Sequence, residues 1–437
     1  MSVTNHPSGG DNPIPEGVLL IERLVERENM GAAYHRVLKN RGSAGVDGMK
    51  VTDLKRSLNS NWLKLKEQLL MGTYKPDAVL VVEIPKDGGG MRKLGIPTVS
   101  DRLIQQGLLQ ILTPVFDPGF SEGSYGFRPG RSAHDAVRQS QLYIREGYNW
   151  VVDLDLAKFF DEVPHDVLMG RVRRKVSDKS VLKLVRRYLE AEEEIEGKRY
   201  RRQKGVPQGG PLSPLLANIL LDDLDKELER RGHRFCRYAD DCNIYVRSEK
   251  AGKRVKESLT GWLKHHLRLK VNESKSAVDR VWNRSFLGYT FLPGKRSRIK
   301  ISSKSIRRFK SKIRTRFRMG KGRNLGRFIV EDLNPLVRGW TDYFGLCETR
   351  KFAKELDGWL RRRLRKVIWQ QSKRNWTRSR RLISRGLAQS RAWKSVTNGR
   401  GPWWNAGASH MNQAFPSSFF NNLGLVSILN RLDYWKS

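Results

Sequence analysis

The spacing of apolar and polar residues changes several times along the 437-residue chain, and each change predicts an element. Val18, Leu19, Leu24 and Val25, then Tyr34, Val37 and Leu38, fall at helical intervals before N-R-G-S-A-G-V-D-G-M at 40–49, a glycine-rich loop. The stretch 79–96 alternates as a strand, turns at Asp87 to Gly90 and returns as a second strand. Leu103, Ile104, Leu108, Ile111 and Leu112 predict a core-forming helix over 101–116, and 212–224 and 255–267 predict two more. Further on, Leu333, Leu336, Val337, Trp340, Tyr343 and Phe344 form one apolar stripe. Leu356, Trp359, Leu360, Leu364 and Val367 form another, and both predict amphipathic helices.

Two of the predicted strand regions carry acids. W-V-V-D-L-D-L at 150–156 reads as a buried strand on which Asp153 and Asp155 share a face, with Asp161 following after Phe159 and Phe160. F-C-R-Y-A-D-D-C-N-I-Y-V at 235–246 reads as a β-hairpin with Asp240 and Asp241 at or beside its tip. Adjacent carboxylates repel, and with no basic partner at the tip a bound divalent cation would offset that cost; a polar turn is the other reading of the hairpin taken alone. With a third acid from 150–161, three carboxylates on two strands suit two magnesium ions, with substrate phosphates and water completing the octahedra.

Composition names the partner. The chain carries 84 Lys and Arg against 45 Asp and Glu, a net +39 that exceeds what solubility requires and points to a polyanion, nucleic acid first. From Lys295 to Ser437 there are 35 basic and 7 acidic residues, so 28 of the net charges lie in the last third. Cys236, Cys242 and Cys347 make neither a C-x-x-C pair nor an even disulfide framework, which suits core thiols in a reducing compartment. No apolar run reaches membrane-spanning length and no signal-peptide core opens the chain, so the expected location is cytoplasmic. Residues 1–16, rich in Gly, Pro, Ser and Asn, read as a flexible leader.

Three motifs in order now carry a resemblance: D-L-A-K-F-F-D at 155–161, V-P-Q-G-G-P-L-S-P-L-L-A-N at 206–218 and Y-A-D-D at 238–241. Together they resemble the palm of a reverse transcriptase, and most of all the bacterial group II intron reverse transcriptase/maturase of the short, endonuclease-free, class C-like type. The resemblance implies an α+β right-hand polymerase with fingers, palm and thumb. An N-terminal extension and fingers would span 17–145, and a palm with part of the fingers 146–295. A helical thumb or maturase domain would follow at 296–370 and a small basic DNA-binding segment at 371–437. After Cys347 the chain has no cysteine and only His410, which fits the absence of a nuclease with paired cysteines.

The resemblance also assigns roles. Asp155, preferred to Asp153 because an aromatic stands five positions on, joins Asp240 and Asp241 as catalytic metal ligands, with the Leu156 carbonyl as a further ligand. Lys86 and Arg92 would hold the incoming triphosphate, Phe160 would exclude a 2′-hydroxyl, and Gln208 would border the nucleotide and template base. Lys275 would protonate the leaving pyrophosphate. Arg128 and Arg131 would contact template phosphates, and F-L-G-Y-T-F at 286–291 would close the palm and grip the primer. The basic face of Arg361, Arg362, Arg363 and Arg365 would track RNA phosphates. Trp393, Trp403 and Trp404 would stack on bases or fill a small core.

The implied cofactors are two Mg²⁺ ions, with Mn²⁺ as a substitute. The implied partners are an RNA template with a DNA primer, dNTPs, group II intron RNA and target DNA, with no membrane and the oligomeric state unassigned. The implied function is RNA-directed DNA synthesis together with splicing and mobility of the parent intron. The alternatives are a splicing-only RNA-binding maturase, a free-standing relative in DNA repair or phage defence, and an RNA-dependent RNA polymerase, which would place a small residue at position 160.

Overall fold

The computed structural model describes residues 19–85, 90–320 and 322–434. The expected leader at 1–16, Lys86 and most of the turn after it lie outside the described residues. The chain divides into two compact units: residues up to 143 with 147–279, and residues 144–146 with 280 onward. The division falls before position 296, where the arginine-rich helices begin.

In the first unit the two acid-bearing regions belong to one sheet. β3 (Trp150–Asp155) buries Val151, Val152 and Leu154 and lies in the middle of a four-stranded sheet ordered β6-β7-β3-β8, where β6 is Arg234–Tyr238, β7 is Asp241–Val246 and β8 is Ala277–Arg280. β6 and β7 form the hairpin, and β7 runs antiparallel to β3. A second sheet, ordered β2-β1-β4-β5, joins the hairpin β1 (Val79–Pro85) and β2 (Met91–Ile96) to a short pair, β4 (Glu193–Ile195) and β5 (Lys198–Tyr200). Helix Ser213–Arg230 turns Leu216, Leu220, Leu224 and Leu228 into the core of the unit.

Helix Val99–Phe116 is capped by Thr98, whose hydroxyl accepts from the Asp101 N–H at 3.2 Å. The Asp101 carboxylate is itself buried and accepts from Tyr74 Oη at 2.7 Å and Tyr188 Oη at 3.1 Å. Burial pushes its pKa up to about 6, against the hydrogen bonds from Tyr74 and Thr98.

In the second unit, β9 (Tyr289–Phe291) pairs antiparallel with β10 (Ile299–Ile301). Of the strand expected at 286–291, residues 289–291 form β9, which lies with β10 in a two-stranded sheet. Helices Ser303–Met319, Asn334–Tyr343 and Lys351–Gln371 pack Phe309, Ile313, Val337, Leu356, Leu360 and Leu364 into a separate core. No helix of the described residues is long and apolar enough to cross a membrane.

Candidate active site

The antiparallel register of β3 and β7 sets Asp155 directly opposite Asp241. Tyr238 pairs with Asp241 across the hairpin, so Ala239 and Asp240 make a two-residue turn, with Ala239 in the left-handed region at φ 58°. Three acids are thereby presented at one end of one sheet. Asp240 is held above the ordinary carboxylate range, first by burial and then by the charge of Asp155, with Arg92 and Arg237 pulling the other way. Among the described residues no three His, Cys, Asp or Glu side chains already form a metal-ligand cluster. The acids share a rim, and Asp240, costly to ionise there, is a group that a cation would stabilise.

The end of β3 is fixed by the segment that carries Lys275. The Asp155 N–H donates to Ser276 Oγ at 2.9 Å, the Asn272 N–H donates to the Asp155 carbonyl at 2.8 Å, and buried Leu156 bridges to Val271. This brings Lys275 Nζ to 3.9 Å from Asp155 Oδ2.

Beneath the turn lies a network that the sequence reading missed. Arg237, fully buried in β6, donates through Nε and Nη2 to both oxygens of Asp225 on helix Ser213–Arg230, at 2.7 and 2.5 Å. It also donates to Asn218 Oδ1 at 2.9 Å, to Ser124 Oγ at 2.7 Å and to the Ala239 carbonyl at 2.9 Å, inside the turn itself. Burial works against the Arg237 charge, but the Asp225 carboxylate outweighs it and holds the guanidinium above its usual range. Asn218 passes the connection on, donating to the Gly126 carbonyl at 2.8 Å. A Cβ on Gly126 would lie 2.4 Å from the Ala239 nitrogen, so only glycine lets the 121–131 loop approach the turn this closely.

On the other side, Arg92 of β2 donates from Nε to Gln208 Oε1 at 2.6 Å, joining two residues singled out from the sequence. Phe160 lies beside them along a cavity of 430 Å³ that is also lined by Lys93, Lys158 and Gln208. Phe160 meets Phe159 edge to face, and its carbonyl accepts from the Val206 N–H at 2.6 Å. Gly205 has φ 92°, and a Cβ there would meet the carbonyl oxygens of Phe160 and Asp161 at 2.9 Å. Backbone therefore packs on backbone at the cavity wall.

The arginines expected to meet phosphate are placed differently. All five N–H groups of Arg128 are engaged: Nε on Asp117 Oδ1 at 2.8 Å, Nη1 on the carbonyls of Ser121 and Ser124, and Nη2 on the carbonyl and Oδ2 of Asp117. The template-phosphate role expected of Arg128 is therefore corrected: its guanidinium braces the loop and has no donor to spare. Arg131 pairs with exposed Glu122 and sits over the Tyr125 ring.

In the second unit, Arg365 is buried, donates to the Phe415 carbonyl at 2.9 Å and is lowered to about 10 by burial and then Arg361. Arg362 donates to the Trp403 carbonyl at 3.0 Å and stacks 4.3 Å from that ring, while Arg363 stacks on Trp359 at 4.6 Å. Arg362 and Arg365 thus fasten the C-terminal segment to helix Lys351–Gln371. Arg365 is corrected as a phosphate-tracking residue, because its charge is inside.

Strand-borne acids at a hairpin tip, a neighbouring cavity rimmed by cations and a separate basic helical unit define a nucleic-acid polymerase. Residues 84–291 match the family "Reverse transcriptase (RNA-dependent DNA polymerase)", and 306–385 match "Group II intron, maturase-specific domain". Protein YkfC of Escherichia coli (strain K12) is 32% identical over 320 residues, 64% of this chain and 84% of that protein. The group II intron-encoded protein LtrA of Lactococcus lactis subsp. cremoris is 29% identical over 362 residues, 66% of this chain and 59% of LtrA. A solved chain of a partial Cas6-RT-Cas1–Cas2 complex is 27% identical, covering 58% of this chain and 43% of that one, with a TM-score of 0.38. The chain belongs to the group II intron reverse transcriptase/maturase family: an RNA-directed DNA polymerase of right-hand α+β fold with a maturase domain.

Proposed function

We propose that Asp155, Asp240 and Asp241, with the Leu156 carbonyl, hold two Mg²⁺ ions, or Mn²⁺ in their place, for template-directed DNA synthesis on RNA. The observation that carries this reading is the pairing of Asp155 with Asp241 across β3 and β7, with Asp240 at the adjoining turn. Bound there, the ions would lower the cost of bringing a primer 3′-oxygen to the α-phosphate of a dNTP. The protein's own groups do the rest. Arg92, held by Gln208, and Lys86 bind the triphosphate, and Phe160 stands against the sugar, where its ring excludes a 2′-hydroxyl. Lys275 is the acid for the pyrophosphate leaving group, within reach because the 272–276 segment is hydrogen-bonded to Asp155.

Residues 17–145 and 146–295 correspond in this reading to N-terminal extension with fingers and to palm, 296–370 to thumb or maturase domain, and 371–437 to a DNA-binding segment. The macromolecular partners are an RNA template with DNA primer, the parent group II intron RNA, whose splicing and mobility the protein assists, and the target DNA. Arg131, Arg361, Arg362 and Arg363 contribute to the RNA-binding surface. The setting is a bacterial cytoplasm and nucleoid.

Primer extension on an RNA template with dNTPs and Mg²⁺, comparing the protein with its Asp240→Ala variant and repeating with rNTPs, tests the reading. Extension with dNTPs that the variant loses supports it. Folded protein that binds RNA and extends nothing replaces it with a splicing-only maturase, and equal use of rNTPs removes the role given to Phe160.

A further inference from the structure

Phe127 stands in the G-F-R-P-G stretch at 126–130, between the wedged Gly126 and the fully engaged Arg128. It is an aromatic residue in the left-handed region, at φ 61°, and it is 52% exposed. Either feature alone is a cost: a bulky side chain at positive φ is a backbone outlier, and an exposed ring forgoes burial. Such strain persists only where the surroundings over-determine it.

Here they do. Gly126, before it, is wedged against the Ala239 nitrogen and fastened through its carbonyl to Asn218. Arg128, after it, spends all five N–H groups on Asp117 and on the carbonyls of Ser121 and Ser124. The Tyr125 N–H donates to the Arg237 carbonyl at 2.9 Å, and the Arg237 N–H donates to the Gly123 carbonyl at 2.8 Å. The loop is anchored on both sides of Phe127, and what it presents is the ring. That ring lies against Tyr238, the residue paired with Asp241, with centroids 6.3 Å apart and planes tilted by 45°. Two aromatic rings thus adjoin the turn that carries Asp240, one of them on the strand paired with Asp241 and the other on the anchored loop.

We propose that Phe127, backed by Tyr238, is a contact surface for the end of the primer–template duplex, taking its last base pair or sugar by apolar stacking next to the metal-binding turn. The inference rests on the polymerase reading above and adds a residue to it. A stacking platform fits because every nucleotide offers a flat face, so the contact is indifferent to sequence, as a polymerase requires. Phe127 touches no reacting atom; it is a positioning residue.

The test uses the full-length protein with a labelled DNA primer annealed to an RNA template, measuring Kd without dNTPs, primer extension and thermal melting. Phe127→Gly frees the left-handed backbone, so its Tm should stay level or rise, whereas its Kd should weaken on the order of tenfold. Phe127→Ala should weaken binding similarly, and Phe127→Trp should restore it to within about twofold. Wild-type Kd in the Gly and Ala variants overturns the proposal. So does a loss of binding that accompanies a loss of Tm in Phe127→Gly, which would make the ring structural. Failure of the wild type to extend at all would strike the polymerase reading, whereas these comparisons of Kd bear on Phe127 alone.

Discussion

Arg237 and Asp225 form a two-point ion pair with both side chains completely buried, and the same guanidinium reaches the Ala239 carbonyl in the turn that carries Asp240. Removing one partner leaves the other charge stranded without water, which costs about 3–5 kcal/mol. Arg237→Met and Asp225→Leu should each destabilise the protein by that order, and the double variant should be less unstable than either. Urea unfolding of the three variants closes the cycle. Extension activity should remain low in the double variant even where stability returns, because the turn loses its brace.

Asp240 gives a pH-dependent prediction. A carboxyl whose pKa is raised by folding binds its proton more tightly folded than unfolded, so it lowers stability above the ordinary aspartate pKa, and that penalty fades as the pH falls. Without divalent ions, Asp240→Asn should therefore raise Tm at neutral pH, with the gain shrinking toward zero near about pH 4. Mg²⁺ should raise the wild-type Tm and do less for the variant. Melting curves at both pH values, with and without Mg²⁺, check it; a variant less stable at neutral pH contradicts it.

The bond from Arg92 Nε to Gln208 Oε1 couples the β1–β2 hairpin to the loop beside Phe160. Arg92→Ala and Gln208→Ala should each raise the KM for dNTP, and the double variant should fall short of the product of the two by about 0.5–3 kcal/mol of coupling. Arg92→Lys should not rescue, since lysine has a charge but no Nε–H at that depth. Steady-state kinetics at saturating primer–template would show this, and full additivity would mean that the two residues act separately.

Gly126→Ala would put a methyl 2.4 Å from the Ala239 nitrogen. Backbone has to shift to relieve it, at a cost of about 1–3 kcal/mol. The shift is transmitted to the acid-bearing turn, so the extension rate should fall well beyond what the stability loss explains. Comparing Tm with the extension rate below the melting range separates the two effects.

The acid-bearing elements were legible because local preference and burial agree there. Val151, Val152 and Leu154 are strand formers and core residues at once, and so are Phe235, Ile244 and Tyr245 in the runs flanking Asp240 and Asp241. The supports were not legible. Arg237 stands inside F-C-R-Y-A-D-D, but alternation alone treats it as one more residue on a strand face. Its partner Asp225 lies on another element, and a charge set among Leu221, Leu224 and Leu228 was the available signal. Arg128 resembles any other arginine in a Gly-rich loop, since sequence does not distinguish donors already spent on carbonyls from donors awaiting phosphate. The β4–β5 pair escaped because E-E-I and K-R-Y bury none of their residues fully and show no alternation.

The facing of Asp155 and Asp241 has one more consequence. Side chains along a strand alternate, so sliding β7 past β3 by one residue would turn Asp241 to the opposite face and leave Asp155 opposite its neighbour. Insertions and deletions should accordingly be forbidden within these two strands, while the long excursion that separates them in the chain can grow or shrink at its loops. The strands act as a ruler, and lineages of this chain should keep their length along it.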